Sequence, residues 1–312
     1  MLSCMVHTWY NKLSIFLCYL NWSTHFKILP IYQLKMSLIN TRWAFDVSAW
    51  KPSKEQVLAI SSFIQPEEKQ RISKFVFLKD AKSSLVGRLL IRKYLSTVTD
   101  IPYNCLCIGR DTLGKPSLLE QDKSSIDFNI SHQADFVVLA GNTKQRIGVD
   151  VMKTEPLVNK NVSEFFRLMR KQFTHTEWKQ IETYKTDTEK LACFYRIWCL
   201  KESYLKNIGK GVASIPLDTI SFSIQNELKF GEVITSTKLY VDNVVKDYVF
   251  EECMLNESYV VSVALENSEA YKREDTPFEF LNIEDILNCG KPLSEPDTEF
   301  TCNFLGKKEK PY

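Results

Sequence analysis

A chain of 312 residues with 44% hydrophobic and 25% charged side chains has ordinary globular composition, and it is long enough for two domains or one large one. Forty basic side chains against 38 acidic ones leave a net charge of +2, which excludes a global field strong enough to draw in nucleic acid or a membrane surface. No apolar run approaches the ~18–20 residues that a membrane-spanning helix needs.

Segment Leu13–Leu20 is apolar and follows Lys12, but no small-residue cleavage site comes after it, so it is a poor signal peptide. The first 35 residues fit no clear element. Met36 is expected to be the true start, with the extension 1–36 a mistaken gene model rather than a weak targeting segment. The nine cysteines contain no CxxC pair and have no histidine partners suited to zinc. Cys105, Cys107, Cys193 and Cys199 sit in apolar stretches and are expected to be reduced core residues of an intracellular protein, with Cys105 and Cys107 on one face of a strand.

Arg42–Val47 predicts a short strand. Pro66-Glu67-Glu68 opens a helix, since proline suits the first turn and acids suit its positive end. Helical periodicity then runs, with a break, to about Thr97, and Gly87 would let another backbone approach. Gly114-Lys115-Pro116 is a loop signal. Asp127–Ser131 alternates, with Phe128 and Ile130 on one face and Asn129 and Ser131 on the other; a polar turn at His132–Asp135 then leads into the apolar strand Phe136–Ala140. In Arg146–Met152, Ile147, Val149 and Val151 point one way, and Gly148 and Asp150 the other. Helices are expected from about Val162 to Tyr184, with Thr174 and Glu177 as a capping box, and from Glu189 to Ile208, stopped by Gly209 and Gly211. Strands return at Thr219–Ile224, Lys238–Asp242, Tyr248–Glu252 and Tyr259–Leu265. The fold class is therefore α+β, with two similar halves at 37–146 and 147–268, each a small antiparallel sheet with packed helices. Residues 269–312 are acidic and polar and are expected to form a peripheral tail with a short helix at Phe280–Leu287.

The sharpest chemical feature lies on the helix Glu189–Ile208. Phe194, Trp198, Glu202 and Lys206 are spaced by four and form one column. A solvated Glu–Lys pair, worth ~0.2–0.5 kcal/mol, would occupy a polar face. This helix is apolar nearly all round, so it is buried on several sides and its carboxylate needs a partner. Asp150, in the middle of Ile-Gly-Val-Asp-Val, is a second acid in an apolar setting, unless it sits at a strand edge. Two carboxylates from a strand and a helix can share a divalent cation, and few hard oxygen ligands suit Mg²⁺ bound together with substrate phosphates. His132 and the loop Arg110–Lys115, with its two cations and a glycine, are weaker signals alone.

Together these features are specific. Ile147-Gly148-Val149-Asp150, followed by Trp198-Cys199-Leu200-Lys201-Glu202-Ser203 and Lys206, resembles the paired signature of the 4′-phosphopantetheinyl transferases. Gly114-Lys115-Pro116, Phe128-Asn129-Ile130-Ser131-His132 and Gln65–Lys69 with Arg71 resemble the larger, two-halved subclass of that family, over roughly residues 42–266. The resemblance implies two α+β halves related by a pseudo-twofold axis, with coenzyme A in the cleft between them. It implies transfer of the 4′-phosphopantetheine arm of coenzyme A to a serine of an acyl or peptidyl carrier domain, fatty acid synthase among them, with release of 3′,5′-ADP. Asp150 and Glu202 match the metal ligands, Glu202 also the general base, and Lys206 the lysine on the pyrophosphate, which makes these three the catalytic set. Arg71, the loop Arg110, Asp111, Thr112, Leu113, Gly114, Lys115, and the stretch Asn129, Ile130, Ser131, His132 match the coenzyme contacts, which Asp150, Glu202 and Lys206 complete. A monomeric, cytoplasmic enzyme without nucleic-acid or membrane partners is expected.

One position departs from the bacterial pattern. Where many members carry a third acid two residues after the first, this chain has Met152, a poor Mg²⁺ ligand. The metal is expected to keep one more water, and Gln133 is a candidate to hold it. Two other classes compete. A metal-dependent phosphodiesterase would need more clustered acids and a basic track, and a non-catalytic coenzyme-A-binding module would lack Glu202 or Lys206.

Overall fold

The computed structural model describes residues 40–99, 101–111, 114–119, 126–157, 161–211, 214–268, 277–288 and 290–309. The extension 1–36 therefore lies outside the described residues, as does 269–276 of the tail.

The chain opens with strand β1 (Asn40–Asp46), followed by helices α1 (Lys54–Ser61), α2 (Pro66–Ser73) and α3 (Leu78–Thr99). Pro66 sits in the first turn of α2 with Glu67 and Glu68, as the sequence predicts. The break between α2 and α3 is real: the Lys74 amide closes α2 on Arg71 and Ile72 carbonyls, and α3 starts four residues later. Short strands β2 (Ile108–Arg110) and β3 (Pro116–Leu118) form a hairpin. Strands β4 (Asp127–Gln133) and β5 (Phe136–Asn142) form the predicted longer one, turning at Ala134 with a positive φ of 49°. His132 and Gln133 thus belong to the strand rather than to the turn. Next come β6 (Ile147–Lys153), α4 (Val162–Met169), α5 (His175–Glu182) and α6 (Asp187–Asn207). A capping box at Thr174/Glu177 starts α5, and a second one, at Thr186/Glu189, starts α6. The remaining elements are β7 (Ile220–Ser223), β8 (Lys238–Val241), β9 (Val244–Lys246), β10 (Tyr248–Asn256), β11 (Tyr259–Glu266), β12 (Glu279–Phe280), α7 (Ile283–Leu287) and α8 (Thr298–Leu305).

The sheets are small, and antiparallel apart from one pair. One has the order β12-β1-β5-β4, with β12 parallel to β1; another has the order β10-β11-β6. Alternation decides the cores. Trp43, Phe45, Val137 and Leu139 pack against Leu85, Leu89 and Tyr94 of α3. Ala44, Val138 and Ala140, on the opposite face, pack against Ile147, Val149 and Val151 of β6 and Val261 and Val263 of β11. Across this sandwich Arg42 of β1 meets Glu251 of β10 at 2.8 Å, both side chains buried. No helix among the described residues is long and apolar enough to cross a membrane.

Two expectations are corrected. Cys193 and Cys199 are buried, but Cys105 and Cys107 are exposed. The buried phase of that stretch is Tyr103, Leu106 and Ile108, so the cysteines fall on the outer side. The described part of the tail is no appendage. β12 lies along β1, and Ile283, Ile286, Phe300 and Phe304 enter the core of α3. Lys307 Nζ caps the end of α2 by donating to the carbonyls of Ser73 (2.9 Å) and Phe75 (2.7 Å), and Lys69 on α2 pairs with Asp297 at 3.2 Å. An acidic, polar composition hid an aromatic pair at i,i+4 spacing on one helix face. Because Phe304 is fully buried, Phe304→Ala should cost about 3–5 kcal/mol in chemical denaturation; a loss under about 1 kcal/mol would mean the segment is peripheral after all.

Candidate active site

The site begins with the contact between β6 and α6. A Cβ placed on Gly148 would lie 2.0 Å from the Ser203 carbonyl oxygen and 2.4 Å from the Asn207 amide nitrogen. Only glycine admits the helix this closely. Asp150, two residues on and on the same face, then meets Lys206 in the last turn of the helix. Asp150 Oδ1 accepts hydrogen bonds from Lys206 Nζ (2.7 Å) and Ser131 Oγ (2.8 Å), and Lys206 also reaches Ser131 Oγ at 2.9 Å. Behind them the Cys199 thiol donates to the Asp150 carbonyl at 3.2 Å; burial pushes this thiol well up, so it is a packing group rather than a nucleophile.

Asp150 Oδ2 is buried and has no hydrogen-bond partner among the described residues. Among the described residues nothing donates a hydrogen bond to the Glu202 carboxylate, which is half-buried on the same helix face as Lys206. Burial first, and then the charge of Asp150, raise the Glu202 carboxyl above its ordinary value, while Lys206 pulls it down. A buried oxygen without a donor, next to a second acid that it repels, is a vacancy of positive charge. The two carboxylates fit a hard divalent cation that keeps most of its shell as water and substrate oxygens. No group of three or more His, Cys, Asp or Glu suited to a metal occurs among the described residues, so a two-acid site is the richest available.

The position of the missing third acid is occupied as well. Gln133 accepts a short hydrogen bond from the Lys153 amide and turns its Nε2 to Met152 Sδ at 3.4 Å. Both ends of the amide are thus committed to β6. This corrects the expectation that Gln133 is free to hold a metal-bound water.

The other predicted residues fall into two groups. Asp111, Gly114 and Lys115 from the β2–β3 turn, Asn129 and Ile130 from β4, and Lys206 line one cleft of about 680 Å³. Gly114 has a positive φ of 81°, and the Lys115 amide is held by Asp111 Oδ1 at 2.8 Å. The Lys115 ammonium pairs with Asp127 at 2.6 Å. Thr112 and Leu113 lie outside the described residues. Arg71 and Arg110 form a second group, both bonded to Glu68. His132 stands between the groups electrostatically: although exposed, it has enough protein around it that loss of hydration lowers its pKa, and the charges of Lys206 and Arg71 lower it further.

Sequence reasoning missed Asp127, Arg88, Arg146 and Lys210. Asp127 shares the Asn129/Ser131 face of β4, and Arg88, which also bonds Glu68, is a cation on the buried side of an apolar helix. Either could have been found by the reasoning that found Glu202. Arg146 and Lys210 line the cleft and gave no signal beyond their charge.

Comparison with known proteins decides what this arrangement belongs to. Residues 48–144 match the family model described as 4′-phosphopantetheinyl transferase, N-terminal, and residues 146–264 match that of the 4′-phosphopantetheinyl transferase superfamily. The L-aminoadipate-semialdehyde dehydrogenase-phosphopantetheinyl transferases of Xenopus laevis and Homo sapiens are each 36% identical to this chain, over 88% of it and 94% of their own length. The 4′-phosphopantetheinyl transferase Sfp of Bacillus subtilis is 30% identical over 56% of this chain and 73% of its own. The chain belongs to the 4′-phosphopantetheinyl transferase family. It is an enzyme that transfers phosphopantetheine from coenzyme A to carrier proteins. The small antiparallel sheets with packed helices are consistent with that family's α+β fold.

A check on the electrostatics of this transferase follows. In metal-free protein, Asp150→Asn removes the charge that raises the Glu202 carboxyl and frees Lys206, which lowers it. Both effects have the same sign. The Glu202 pKa, followed by ¹³C NMR, should move down, though not to its ordinary value because burial remains. An unchanged titration would mean that the two acids do not share a site.

Proposed function

We propose that the transfer is Mg²⁺-dependent, with Asp150 and Glu202 as the protein ligands of the metal and Glu202 as the general base. The observation that carries this is the unpartnered buried oxygen of Asp150 beside Glu202. When bound, Mg²⁺ supplies Lewis-acid charge for the phosphate oxygens. Glu202 accepts the proton of the carrier serine hydroxyl at its carboxylate. The serine oxygen then bonds to the β-phosphorus of coenzyme A, and the bond from that phosphorus to 3′,5′-ADP breaks. Lys206, held by Asp150 and Ser131, presents its ammonium to the diphosphate, where negative charge builds up. Positioning accounts for much of catalysis in phosphoryl transfer. In this reading it falls to Arg71, the loop Arg110–Lys115 and Asn129–His132, as coenzyme contacts.

The two halves, 37–146 and 147–268, are read as pseudo-twofold mates. In each, the first strand pairs with the last and the last with the strand before it, giving β1-β5-β4 and β6-β11-β10. The two family matches, at 48–144 and 146–264, divide at the same place. One chain then carries both sides of the cleft, which supports a monomer. Cytosolic residence rests on the cysteine usage. The acceptors are read as several carriers, with the acyl carrier domain of fatty acid synthase among them. The names of the frog and human relatives add the carrier domain of an aminoadipate-semialdehyde dehydrogenase as a second acceptor to try.

The test is direct. Incubated with Mg²⁺, fluorescent coenzyme A and an apo acyl carrier protein, the enzyme should label the carrier, and a chelator should stop it. Glu202→Gln should lower kcat by about 10²–10⁴-fold while changing coenzyme A affinity only a few-fold. Equal losses in both would reduce Glu202 to a ligand or a structural acid, and absence of label with several carriers would defeat the reading as a whole.

A further inference from the structure

Glu68 on α2 lies where three guanidinium groups meet. Its Oε2 accepts from Arg71 Nε at 3.0 Å and Arg88 Nε at 2.9 Å, and its Oε1 accepts from Arg110 Nη2 at 3.1 Å. Burial works against the charged form of Glu68, but Arg88, Arg71 and Arg110 outweigh it and hold the carboxyl below its ordinary value. The outer two arginines are fixed at their far ends too. Arg71 Nη2 donates to Ser84 Oγ, and Arg110 Nη1 to the Gly114 carbonyl of the coenzyme loop, each at 2.8 Å.

Arg88 differs from the other two. It is only 6% exposed, and its Nη1 is buried without a hydrogen-bond partner among the described residues. Burial brings its pKa down to about 10 against the pull of Glu68. A buried guanidinium N–H without an acceptor is costly, so the cluster has room for one more acceptor. Three cations and one acid leave an excess of two positive charges, and without the acid the like charges would repel one another. Helix α2 is held in place by the C-terminal segment, through Lys307 on its end and Asp297 on Lys69.

We infer that Glu68 and Arg88 are positioning residues for coenzyme A: Glu68 gathers Arg71 and Arg110 into one anion-binding face, and Arg88 fixes Glu68 from the buried side. This rests on the reading of Arg71 and Arg110 as coenzyme contacts. It yields a prediction whose sign is unusual. If net charge alone governed the site, removing the acid would raise the local charge and tighten the binding of an anion. If Glu68 organises the arginines, its removal weakens binding.

The experiment uses the full-length enzyme with Mg²⁺ and an apo carrier. It measures kcat, KM for coenzyme A and, by calorimetry, Kd for coenzyme A. Glu68→Gln should raise KM and Kd by about 10-fold, equivalent to ~1.4 kcal/mol, with kcat within about 2-fold of the parent. Arg88→Lys keeps the charge but loses the Nε–H that reaches Glu68, and it should show the same split; it also serves should Glu68→Gln fail to fold. A KM that falls or stays constant in Glu68→Gln, or in Arg88→Lys where that variant stands in, overturns the inference. Arg71→Ala separates the two levels. If it raises KM while Glu68→Gln does not, only the positioning role fails. If Arg71→Ala also leaves KM unchanged, the coenzyme-contact reading fails with it.

Discussion

Where a side chain on Gly148 would be, the backbone of α6 is already present, with the Ser203 carbonyl oxygen 2.0 Å from the place a Cβ would take. This approach sets the register between strand and helix from which the site follows. It brings Glu202 and Lys206 to the strand face that carries Asp150, and it places Cys199 against the Asp150 carbonyl. A larger residue at 148 would lift the helix and draw the charges apart. The site is therefore built by a packing constraint first and by electrostatics second. The Asp150–Lys206 contact satisfies one carboxylate oxygen and leaves the other without a donor.

Lys201 and Glu202 are neighbours in sequence but serve different ends, because a helix sends adjacent residues about 100° apart. Lys201 is 1% exposed and bonds the fully buried Glu177 at 2.9 Å, with further bonds to the carbonyls of Leu217 and Ile220. Burial raises the Glu177 carboxyl and lowers the Lys201 ammonium, while the charge of each partner works the other way. The Lys201 ammonium and both Glu177 oxygens have partners within the protein. Glu202 has no such partners among the described residues. The contrast separates a structural ion pair, of doubtful net stability but fixed geometry, from a carboxylate left free for chemistry.

Much of this was legible in the sequence, and the misses have physical causes. The i,i+4 column Phe194, Trp198, Glu202, Lys206 and the alternation around Asp150 exposed two acids in apolar elements, because periodicity reports which way a side chain points. It does not report what the side chain meets. At Cys105 and Cys107 the buried phase is hidden, since two cysteines flank Leu106 and both patterns look apolar. In the C-terminal segment composition misleads, because two phenylalanines on one short helix help to anchor it whatever lies around them. At Gly87 the neighbour is a side chain, Ile130 Cδ1 at 3.1 Å from an added Cβ, rather than a backbone. Gln133 looked available because its polarity was visible and the Lys153 amide that occupies it was not.

The row of side chains on β4 joins the β2–β3 turn to Asp150. Asp127 Oδ2 accepts from the Ile147 amide at 3.0 Å, Asn129 Oδ1 from the Val149 amide at 3.3 Å, and Gln133 from the Lys153 amide, all on the open edge of β6. Ser131, in the same row, reaches past the backbone to Asp150. Direct strand pairing would bring β4 to within about 4.8 Å of β6. Bridging by side chains satisfies the edge amides while holding the strands farther apart, and the added width gives Lys206 access to both Ser131 and Asp150. Asp127 closes the circuit, because its other oxygen takes the Lys115 ammonium. Lys115, Asp150 and Lys206 are therefore placed by one continuous row of residues at the two-residue period of a single strand, so a one-residue slip of β4 would disconnect the loop and the acids together.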